Sequence, residues 1–339
     1  MTKTLVTGAS GFIGSHVTAA LVAQGDEVTC LARKTSLVDP LRKLGVRVLH
    51  GDVSDPDSLS AAVAEQDVVY HLAGCTRTLD RRSFYAVNHR GTANLVEACA
   101  RRATPPTLVI VSSLAAAGPV ADGRPRIETD PLHPVSYYGR SKRAGECAAE
   151  AMADRMPITV VRPPMVVGEA DLMSLPLFRS IARFGVHMMP RWREHRISVI
   201  HADDLSRLLI LAAQRGQRLT APRGDACQSA QGYYFAAADE DPLYSDFGRM
   251  IAEAARRHLL IIVPTMPPVV WAVASAGEAV ARIRRVPIVM NFDKAREITS
   301  GLWLCSAQKA AADLGFCVAA PLRERIFQTM EWYRREGWI

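Results

Sequence analysis

Residues 5–14 of the chain read LVTGASGFIG, a short β-branched run followed by glycines at positions 8, 11 and 14. The run predicts a strand, and the apolar spacing over 13–24 predicts a helix directly behind the glycines. Gly8 permits a tight turn, Gly11 lets the backbone approach a pyrophosphate, and Gly14 allows the helix to pack closely on the strand. The unpaired N–H groups at the start of the helix attract an anion. The segment therefore predicts a dinucleotide-binding turn.

The same alternation of strand and helix continues through the first part of the chain. β-Branched runs alternate with helical patterns at 58–64, 84–100 and 139–153, which predicts a parallel sheet with helices on both faces. We expect an α/β fold, with a doubly wound Rossmann sheet at 1–165 and a smaller, mainly substrate-binding region at 166–339 that can re-enter the sheet. Strands are predicted at 5–7, 27–31, 46–49, 68–72, 108–111, 158–161 and 233–237, and a late helix at 247–257.

Composition excludes several other classes of protein. The 339 residues carry a formal net charge of +7, but the basic residues are dispersed and show no nucleic-acid motif, so we expect no nucleic-acid partner. Seven cysteines without a C-x-x-C pair indicate no disulfide framework, and we predict no metal site. Reduced cysteines and the lack of an apolar leader before the first strand favour a cytoplasmic protein.

The apolar run at 259–281 approaches the length of a transmembrane helix. Three prolines interrupt its first half and one glutamate its second, so we expect no spanning helix. What remains is a helix over 269–283 with two arginines behind it. We favour a core helix or a homodimer interface, and the alternative is contact of 269–285 with the inner face of a membrane.

Three further motifs follow predicted strands or open a predicted helix: Gly51-Asp52-Val53, His71-Leu72-Ala73-Gly74, and NHRGTAN from Asn88 to Asn94. With the G-x-x-G-x-x-G spacing, they resemble the extended short-chain dehydrogenase/reductases, the NAD-dependent epimerase/dehydratase family. The resemblance implies bound NAD(P)(H). The cofactor contacts that follow are Gly8, Ser10, Gly11, Phe12, Ile13, Gly14, Asp52, Val53, Leu72, Ala73, Gly74, Asn88, Val111, Tyr138, Lys142 and Pro163.

Tyr138 and Lys142 form a Y-x-x-x-K pair, which on a helix lies on one face, one turn apart. A phenol titrates near pH ~10, so an adjacent ammonium is needed to lower its pKa for acid–base work near neutrality. Position 141 is Ser, so Tyr137 lacks such a partner and is expected to pack. The resemblance implies that Ser113, five residues before Gly118, orients the substrate oxygen and that Lys142 holds the nicotinamide ribose.

Later segments extend the resemblance over nearly the whole chain. Arg162-Pro163-Pro164 is similar to a segment that lies against the nicotinamide, and the residues Trp332 to Trp338 resemble the end of extended members. His201-Ala202-Asp203-Asp204-Leu205 is similar to a segment that precedes a helix. We expect Asp203 or Asp204 to cap that helix rather than to act in catalysis.

The family includes dehydrogenases, epimerases and dehydratases, so the site must decide the reaction. Dehydratases carry an acidic pair after the catalytic hydroxyl, where this chain has Leu114 and Ala115, and epimerases carry an Asn where it has Met165. The apolar stretch at 172–189 favours a lipid-like or ring-fused substrate. Substrate contacts are expected at Thr76, Ser113, Met165, Phe178 and Met188.

The 3β-hydroxysteroid dehydrogenase-like and dihydroflavonol reductase-like groups are most similar, since they also place Ala-Gly-Pro, here Ala117-Gly118-Pro119, after the fifth strand. We expect an oxidoreductase that interconverts a secondary alcohol and a ketone on a steroid-, lipid- or flavonoid-like substrate. A nucleotide-sugar epimerase is the alternative. A non-catalytic redox-sensing binding protein is a third interpretation, which the intact catalytic residues disfavour.

The end of the second strand bears on the choice of coenzyme. NAD-dependent enzymes place an acid there for the ribose 2′-hydroxyl, but this chain has Ala32 followed by Arg33 and Lys34. A guanidinium binds a 2′-phosphate through paired, charge-assisted hydrogen bonds, so NADP(H) is favoured as cofactor. If Arg33 instead stacks on the adenine, NAD(H) also serves.

Overall fold

The computed structural model describes residues 1–190, 193–221 and 230–339. Within them, seven parallel strands form the main sheet, and its order from one edge to the other is tenth, sixth, fifth, fourth, first, second and third strand along the chain. The predicted doubly wound sheet is confirmed, and the tenth strand shows that the chain re-enters it. The strands are β1 Lys3–Thr7, β2 Glu27–Ala32, β3 Arg47–His50, β4 Val68–His71, β5 Thr107–Val111, β6 Ile158–Arg162, β7 Met165–Val167, β8 Val186–Met189, β9 Val199–His201, β10 Tyr233–Phe235 and β11 Ile261–Pro264.

Helices connect these strands, and a π-helical segment, Ala86–Gly91, interrupts the region where one continuous helix over 84–100 was expected. That expectation is wrong, because the π turn separates two shorter α-helices. The α-helices are α1 Phe12–Ala23, α2 Asp39–Lys43, α3 Asp57–Val63, α4 Arg81–Tyr85, α5 Thr92–Ala100, α6 Leu114–Ala117, α7 Tyr137–Glu150, α8 Leu175–Phe184, α9 Ala202–Arg215, α10 Tyr244–Ala254, α11 Pro267–Arg284, α12 Phe292–Ser300, α13 Gln308–Leu314 and α14 Leu322–Arg335.

The main sheet buries a separate core on each of its faces. α1, α9 and α13 cover one face, around Val6 and Leu21, and α3, α5 and α7 cover the other, around Leu5 and Leu95. Leu5 and Val6 are consecutive residues of β1 and enter opposite cores, because side chains alternate along a strand. This double covering explains why the strands read as continuous apolar runs in the sequence.

The chain after β6 builds a further core beside the carboxyl ends of the main sheet. β7 pairs with β9 and β8 with β11, both in parallel, and α8, α10 and α14 pack around Phe178, Phe247 and Tyr333. The helix expected at 247–257 is observed as α10. None of the helices described is long and apolar enough to cross a membrane.

Candidate active site

The glycine turn between β1 and α1 has the tight geometry that the sequence predicts. Gly8 has a φ of 73°, and a side chain there would meet the backbone nitrogen of Ala73 at 2.6 Å. A side chain at Gly14 would meet the carbonyl oxygen of Gly8 at 2.1 Å. α1 begins after Gly11 with no side-chain hydrogen bond to its first N–H groups. The turn therefore fits an anionic pyrophosphate.

His71 ends β4 behind this turn and joins three elements. The Thr92 hydroxyl donates to the carbonyl of Asn88 at 2.9 Å, so it accepts from Nε2 of His71, also at 2.9 Å. Nδ1 of His71 then accepts from the Thr7 hydroxyl at 2.8 Å. Burial, with the positive charge of Lys142, lowers the pKa of His71 to about 3. His71 is thus a neutral structural residue that ties β1, β4 and α5 together.

Asn88 lies in the π-helical segment and is only 2% exposed. Its amide oxygen accepts the N–H of Cys75 at 2.8 Å, and its nitrogen donates to the Cys75 carbonyl and to the Ser141 hydroxyl, both at 2.9 Å. A side chain at Gly145 would meet the Asn88 carbonyl oxygen at 2.2 Å, so this segment and α7 are in close contact. The π turn therefore places Asn88 between the loop after β4 and α7.

Ser113, Tyr138 and Lys142 lie together beyond the carboxyl end of β5. The Ser113 hydroxyl accepts the N–H of Ala115 at 3.1 Å, which caps α6. A side chain at Gly139, the residue after Tyr138, would clash with the Ala115 carbonyl oxygen, so the start of α7 lies against α6. Lys142, one turn further along α7, donates from Nζ to the Val111 carbonyl at 2.7 Å. The structure thus groups the three side chains that the sequence singles out, and their catalytic roles remain a proposal.

Burial determines the protonation of this group. It raises the pKa of Tyr138 to about 12, against the opposing effect of the Ser113 hydroxyl and together with the negative charge of Glu297. It lowers the pKa of Lys142 to about 8. We expected Lys142 to lower the pKa of the phenol, but burial outweighs any such effect and the ammonium is bonded to a backbone carbonyl. Tyr138 is therefore a protonated acid at neutral pH, suited to giving a proton.

A buried ion pair supports the strand ends on which Ser113 stands. Glu146 of α7 accepts two hydrogen bonds from Arg162, at 2.9 and 2.7 Å, and one from the Ser112 hydroxyl at 2.5 Å. Both charged side chains are 1% exposed. Burial alone would raise the pKa of Glu146, but the charge and hydrogen bonds of Arg162 hold it below its usual value. Arg162, at the end of β6, is therefore a supporting residue.

Sequence reasoning missed two carboxylates at the start of α7, of which Asp293 binds the first N–H groups of the helix. Asp293 of α12 accepts the backbone N–H groups of Tyr137 at 2.8 Å and Tyr138 at 3.0 Å. Glu297, one turn later, accepts from the Ser136 hydroxyl at 2.8 Å. A carboxylate is stabilising at a helix N-terminus because of the helix dipole. Asp293 and Tyr138 are 155 positions apart, so no local pattern could have revealed the contact.

Tyr137 lies outside the catalytic group, as expected. Its hydroxyl accepts a hydrogen bond from Arg81 at 3.2 Å, and the Arg296 guanidinium lies 5.1 Å from the centre of its ring. Two cations thus fix the ring of Tyr137, while the adjacent Tyr138 turns toward Ser113.

The start of α9 differs from the expectation of an aspartate cap. His201 caps this helix, with Nδ1 accepting the N–H of Asp203 at 3.2 Å. Asp203 instead pairs with His16 of α1 at 2.7 Å, and Asp204 with Arg325 of α14 at 3.0 Å. The aspartate-cap prediction is wrong, because cations from two other helices engage both carboxylates.

Among the residues described, His16, Glu169 and Asp203 lie close enough together to hold a metal ion. Nδ1 of His16 is bonded to the Asp203 carboxylate at 2.7 Å and Nε2 to the Glu169 carbonyl at 3.0 Å, so both nitrogens act as donors. Burial lowers the pKa of His16, but these two acidic neighbours raise it overall. An imidazolium is not a metal ligand, so the group is an ion-pair network joining α1 to α9.

The model of one protein family, described as the NAD dependent epimerase/dehydratase family, matches residues 4–223, which is more than half of the chain. The chain belongs to this family. Its relatives include reductases, a ketoreductase and a dTDP-6-deoxy-L-talose 4-dehydrogenase (NAD(P)(+)). This member is therefore an NAD(P)-dependent enzyme of the reductase or epimerase type. The expected Rossmann fold and family are confirmed.

Two relatives and two solved structures are similar over large parts of this family member. A ceramide reductase of Caulobacter vibrioides is 28% identical, covering 98% of this chain and 95% of its own. A putative dihydroflavonol 4-reductase of Synechocystis is 31% identical over 65% of each chain. The crystal structure of gox2253 has a TM-score of 0.80 and 26% identity, with both chains fully covered. UDP-glucose 4-epimerase of Thermus thermophilus, in complex with NAD, shares the fold, with a TM-score of 0.73, 22% identity and coverage of 98% and 99%.

Arg33 and Asp52 occupy the edge of the predicted cofactor site in this family member. Arg33 is exposed directly after β2, next to the buried Ala32. Asp52 accepts the backbone N–H of Ser54 at 2.8 Å and its hydroxyl at 2.6 Å. Partial burial raises the pKa of Asp52, but these hydrogen bonds and the charge of Arg33 lower it overall. Val53, the next residue, packs so closely on Gly91 that a side chain there would approach it to 2.7 Å.

The other predicted cofactor residues lie at carboxyl ends of the parallel strands, where ligands bind in such sheets. They follow β1, β4 or β6 directly or stand in the first turn of α1. These residues are Ser10, Phe12, Ile13, Leu72, Ala73, Gly74 and Pro163.

The predicted substrate residues differ in their surroundings. Thr76 and Met188 are exposed, and Met165 is half-buried on β7. Phe178 has no exposed surface, and its ring packs edge-on against Tyr333 with 5.2 Å between ring centres. This corrects the sequence-based assignment of Phe178, which belongs to the core of α8, α10 and α14 because the apolar face of α8 turns inward.

Proposed function

We propose that this protein interconverts a ketone and a secondary alcohol on a hydrophobic substrate, with NADP(H) favoured as coenzyme. The observation that carries the proposal is the grouping of three side chains: Ser113 stands at the start of α6, Tyr138 at the start of α7, which lies against α6, and Lys142 one turn further along α7. This group stands at the edge of the sheet where the glycine turn also lies. An acid, an orienting hydroxyl and an anion site on one edge meet the needs of carbonyl reduction.

The residues present fit a dinucleotide. Gly8 and Gly14 leave no room for side chains, and the uncapped start of α1 suits the pyrophosphate. A Cβ atom on Gly74 would lie 3.6 Å from Lys142 Nζ. Because Gly74 has no side chain, a ribose hydroxyl can occupy this space beside the ammonium. When bound, the coenzyme supplies or accepts the hydride. Arg33, exposed at the end of β2, is our candidate for binding a 2′-phosphate.

The proton is handled by the chain's own side chains. In the direction of reduction, Tyr138 is protonated at neutral pH and gives its proton to the substrate oxygen as the alcohol forms. Ser113 orients that oxygen by hydrogen bonding. Lys142 keeps a positive charge nearby, which stabilises the phenolate that remains.

The substrate class is argued from what surrounds this group. Leu114 and Ala115 follow Ser113 and are buried, so they supply no second acid for elimination. Met165 lies half-buried on β7, where it offers an adaptable apolar contact. Relatives include a ceramide reductase and a 4-hydroxy-2-methyl-3-oxo-4-farnesyl-3,4-dihydroquinoline-1-oxide ketoreductase, whose names indicate lipid-like substrates. We therefore propose a long-chain or ring-fused ketone rather than a sugar nucleotide.

Tyr138→Phe tests the role of the phenol, and Tyr137→Phe is the matched control one position away. Long-chain, steroid and flavonoid ketones are screened with NADPH by following absorbance of the reduced nicotinamide. Tyr138→Phe is expected to slow turnover by about 10²- to 10⁴-fold while leaving coenzyme affinity nearly unchanged, because only the transferable proton is lost. Tyr137→Phe should retain activity.

Two outcomes would contradict the proposal. Full activity in Tyr138→Phe would show that the acid is another group. Turnover of UDP-sugars without any reduction of ketones would favour the epimerase alternative.

A further inference from the structure

α11 presents an apolar stripe to the outside of the molecule. Val269, Val273, Val280 and Ile283 are 47%, 48%, 43% and 81% exposed, and together with Ala276 they recur every three or four residues. This spacing places them on one helix face. The face is too regular to be a scatter of single exposed apolar residues.

The opposite face of α11 is already filled. Val270 and Ala274 are buried against Ala295 of α12. A side chain at Gly277 would lie 2.3 Å from the carbonyl oxygen of Met290, so the two segments are in direct contact. The preference for a core helix is therefore half correct: α11 buries one face, and the structure as described leaves the other to solvent.

The small sheet directly before α11 in the chain also exposes apolar side chains. Met188 of β8 is 46% exposed and pairs with Val263, while Ile261 of β11 is 52% exposed and pairs with Val186. Residues two apart on a strand share a face, so these four side chains lie on the same side of the small sheet. Met266, 54% exposed, follows directly and leads into α11. We call residues 186, 188, 261, 263, 266, 269, 273, 276, 280 and 283 the apolar face.

The charged residues of the segment that contains β11 and α11 are almost all positive. Residues 254–292 contain five arginines and one acid, Glu278. Glu278 pairs with Arg282 at 3.4 Å. Arg284 and Arg285, at the end of α11, are exposed and form no ion pair with the residues described. The apolar face thus ends in unbalanced positive charge.

We propose that the apolar face docks on an anionic lipid surface. An anionic lipid surface offers a partner for each part of this face: its acyl chains contact the valines and isoleucines, and its negative headgroups bind the arginines. A second copy fits less well. A symmetric dimer pairs this face with itself, and the single acid of the segment cannot balance the arginines of two copies. This proposal stands on the surface alone and does not depend on the proposed reaction.

Co-sedimentation of the full chain with vesicles tests the proposal, comparing phosphatidylcholine alone with phosphatidylcholine containing phosphatidylglycerol. Binding is expected to require phosphatidylglycerol and to weaken with added salt. The double variant Arg284→Glu with Arg285→Glu should lower binding at least roughly thirtyfold, from about 1 kcal/mol for each arginine near the surface. The double variant Val273→Glu with Ile283→Glu should also release the protein.

Matched controls separate docking through this face from attraction of a basic protein as a whole. Leu37→Glu changes an apolar residue that is 85% exposed elsewhere, and Arg334→Glu with Arg335→Glu reverses two exposed charges at the end of α14. These controls should bind as the unmodified protein does, and thermal unfolding should confirm that every variant is folded.

Three results would overturn the proposal. The first is a folded protein that binds neither kind of vesicle. The second is an equal loss of binding in the controls, which would indicate charge attraction without a docking face. The third is conversion of a dimer to a monomer by Val273→Glu with Ile283→Glu while vesicle binding is unchanged, which would show that a second copy covers the face.

Discussion

Neutralising Glu146 is expected to destabilise the fold much more than neutralising an exposed carboxylate. Glu146 holds Arg162 by two hydrogen bonds, and each side chain is 1% exposed. Glu146→Gln leaves the guanidinium buried without a counter-charge, which in comparable sites costs about 3–5 kcal/mol. Part of this cost is offset because Arg162 also lies 4.2 Å from the centre of the Tyr233 ring. We therefore expect a loss near the lower end, about 3 kcal/mol.

The measurement is urea unfolding of the two proteins followed by circular dichroism, with the free energy of unfolding taken by linear extrapolation. The matched control is Glu97→Gln. Glu97 pairs with Arg101 at 2.6 Å, but the side chains are 51% and 68% exposed, so about 0.5 kcal/mol or less is expected. A loss below about 1 kcal/mol in Glu146→Gln would refute the reasoning, because it would mean that solvent or another group compensates Arg162.

Three further predictions follow from the site. Arg33→Ala should weaken NADP(H) binding roughly ten- to a hundredfold and NAD(H) binding much less, as measured by fluorescence titration, and equal weakening of both would contradict the assigned phosphate contact. Asp293→Asn should lower kcat more than it changes KM, because it removes the charge that holds the N–H of Tyr138, and unchanged kcat would limit Asp293 to a role in stability. The pKa of His16 is raised by Asp203 despite burial, so its ion pair stabilises the fold below pH 6.5 and loses this contribution as pH rises through the folded-state pKa. The stability difference between the unmodified protein and His16→Gln should therefore shrink as pH rises above 6.5, and a constant difference would exclude this linkage.

The sequence predicted the main sheet and the catalytic group because both depend on the spacing of residues that are close together in the chain. Strands buried on both faces appear as short apolar runs, and Gly8, Gly11 and Gly14 have one spacing that suits a turn into a helix. Tyr138 and Lys142 are four residues apart, so a helix brings them together whatever surrounds it. For the same reason the sequence alone sets Tyr137 aside, since no lysine lies one helical turn after it.

The features that the sequence did not predict depend on contacts between distant segments. The π-helical segment around Asn88 is one turn long, and the spacing of apolar residues does not distinguish it from an α-helical turn. Phe178 lies at an apolar helical spacing that is typical both of residues lining a pocket and of residues in a hydrophobic core. Only its packing against Tyr333 in the structure shows that it belongs to the core. The raised pKa of Tyr138 depends on burial, which a motif does not encode.

α11 and α12 connect the proposed lipid-docking face to the candidate active site, yet the two functions should be separable. The buried side of α11 packs on α12, and Asp293 of α12 holds the backbone of Tyr138. The apolar face lies on the other side of α11, so Arg284→Glu with Arg285→Glu alters the surface without touching that packing. Vesicle binding should therefore fall in this variant while turnover of a water-soluble ketone is kept, whereas a change at Val270, which packs on α12, should disturb both. A loss of turnover in the arginine variant would mean that α11 transmits changes at its surface to α7.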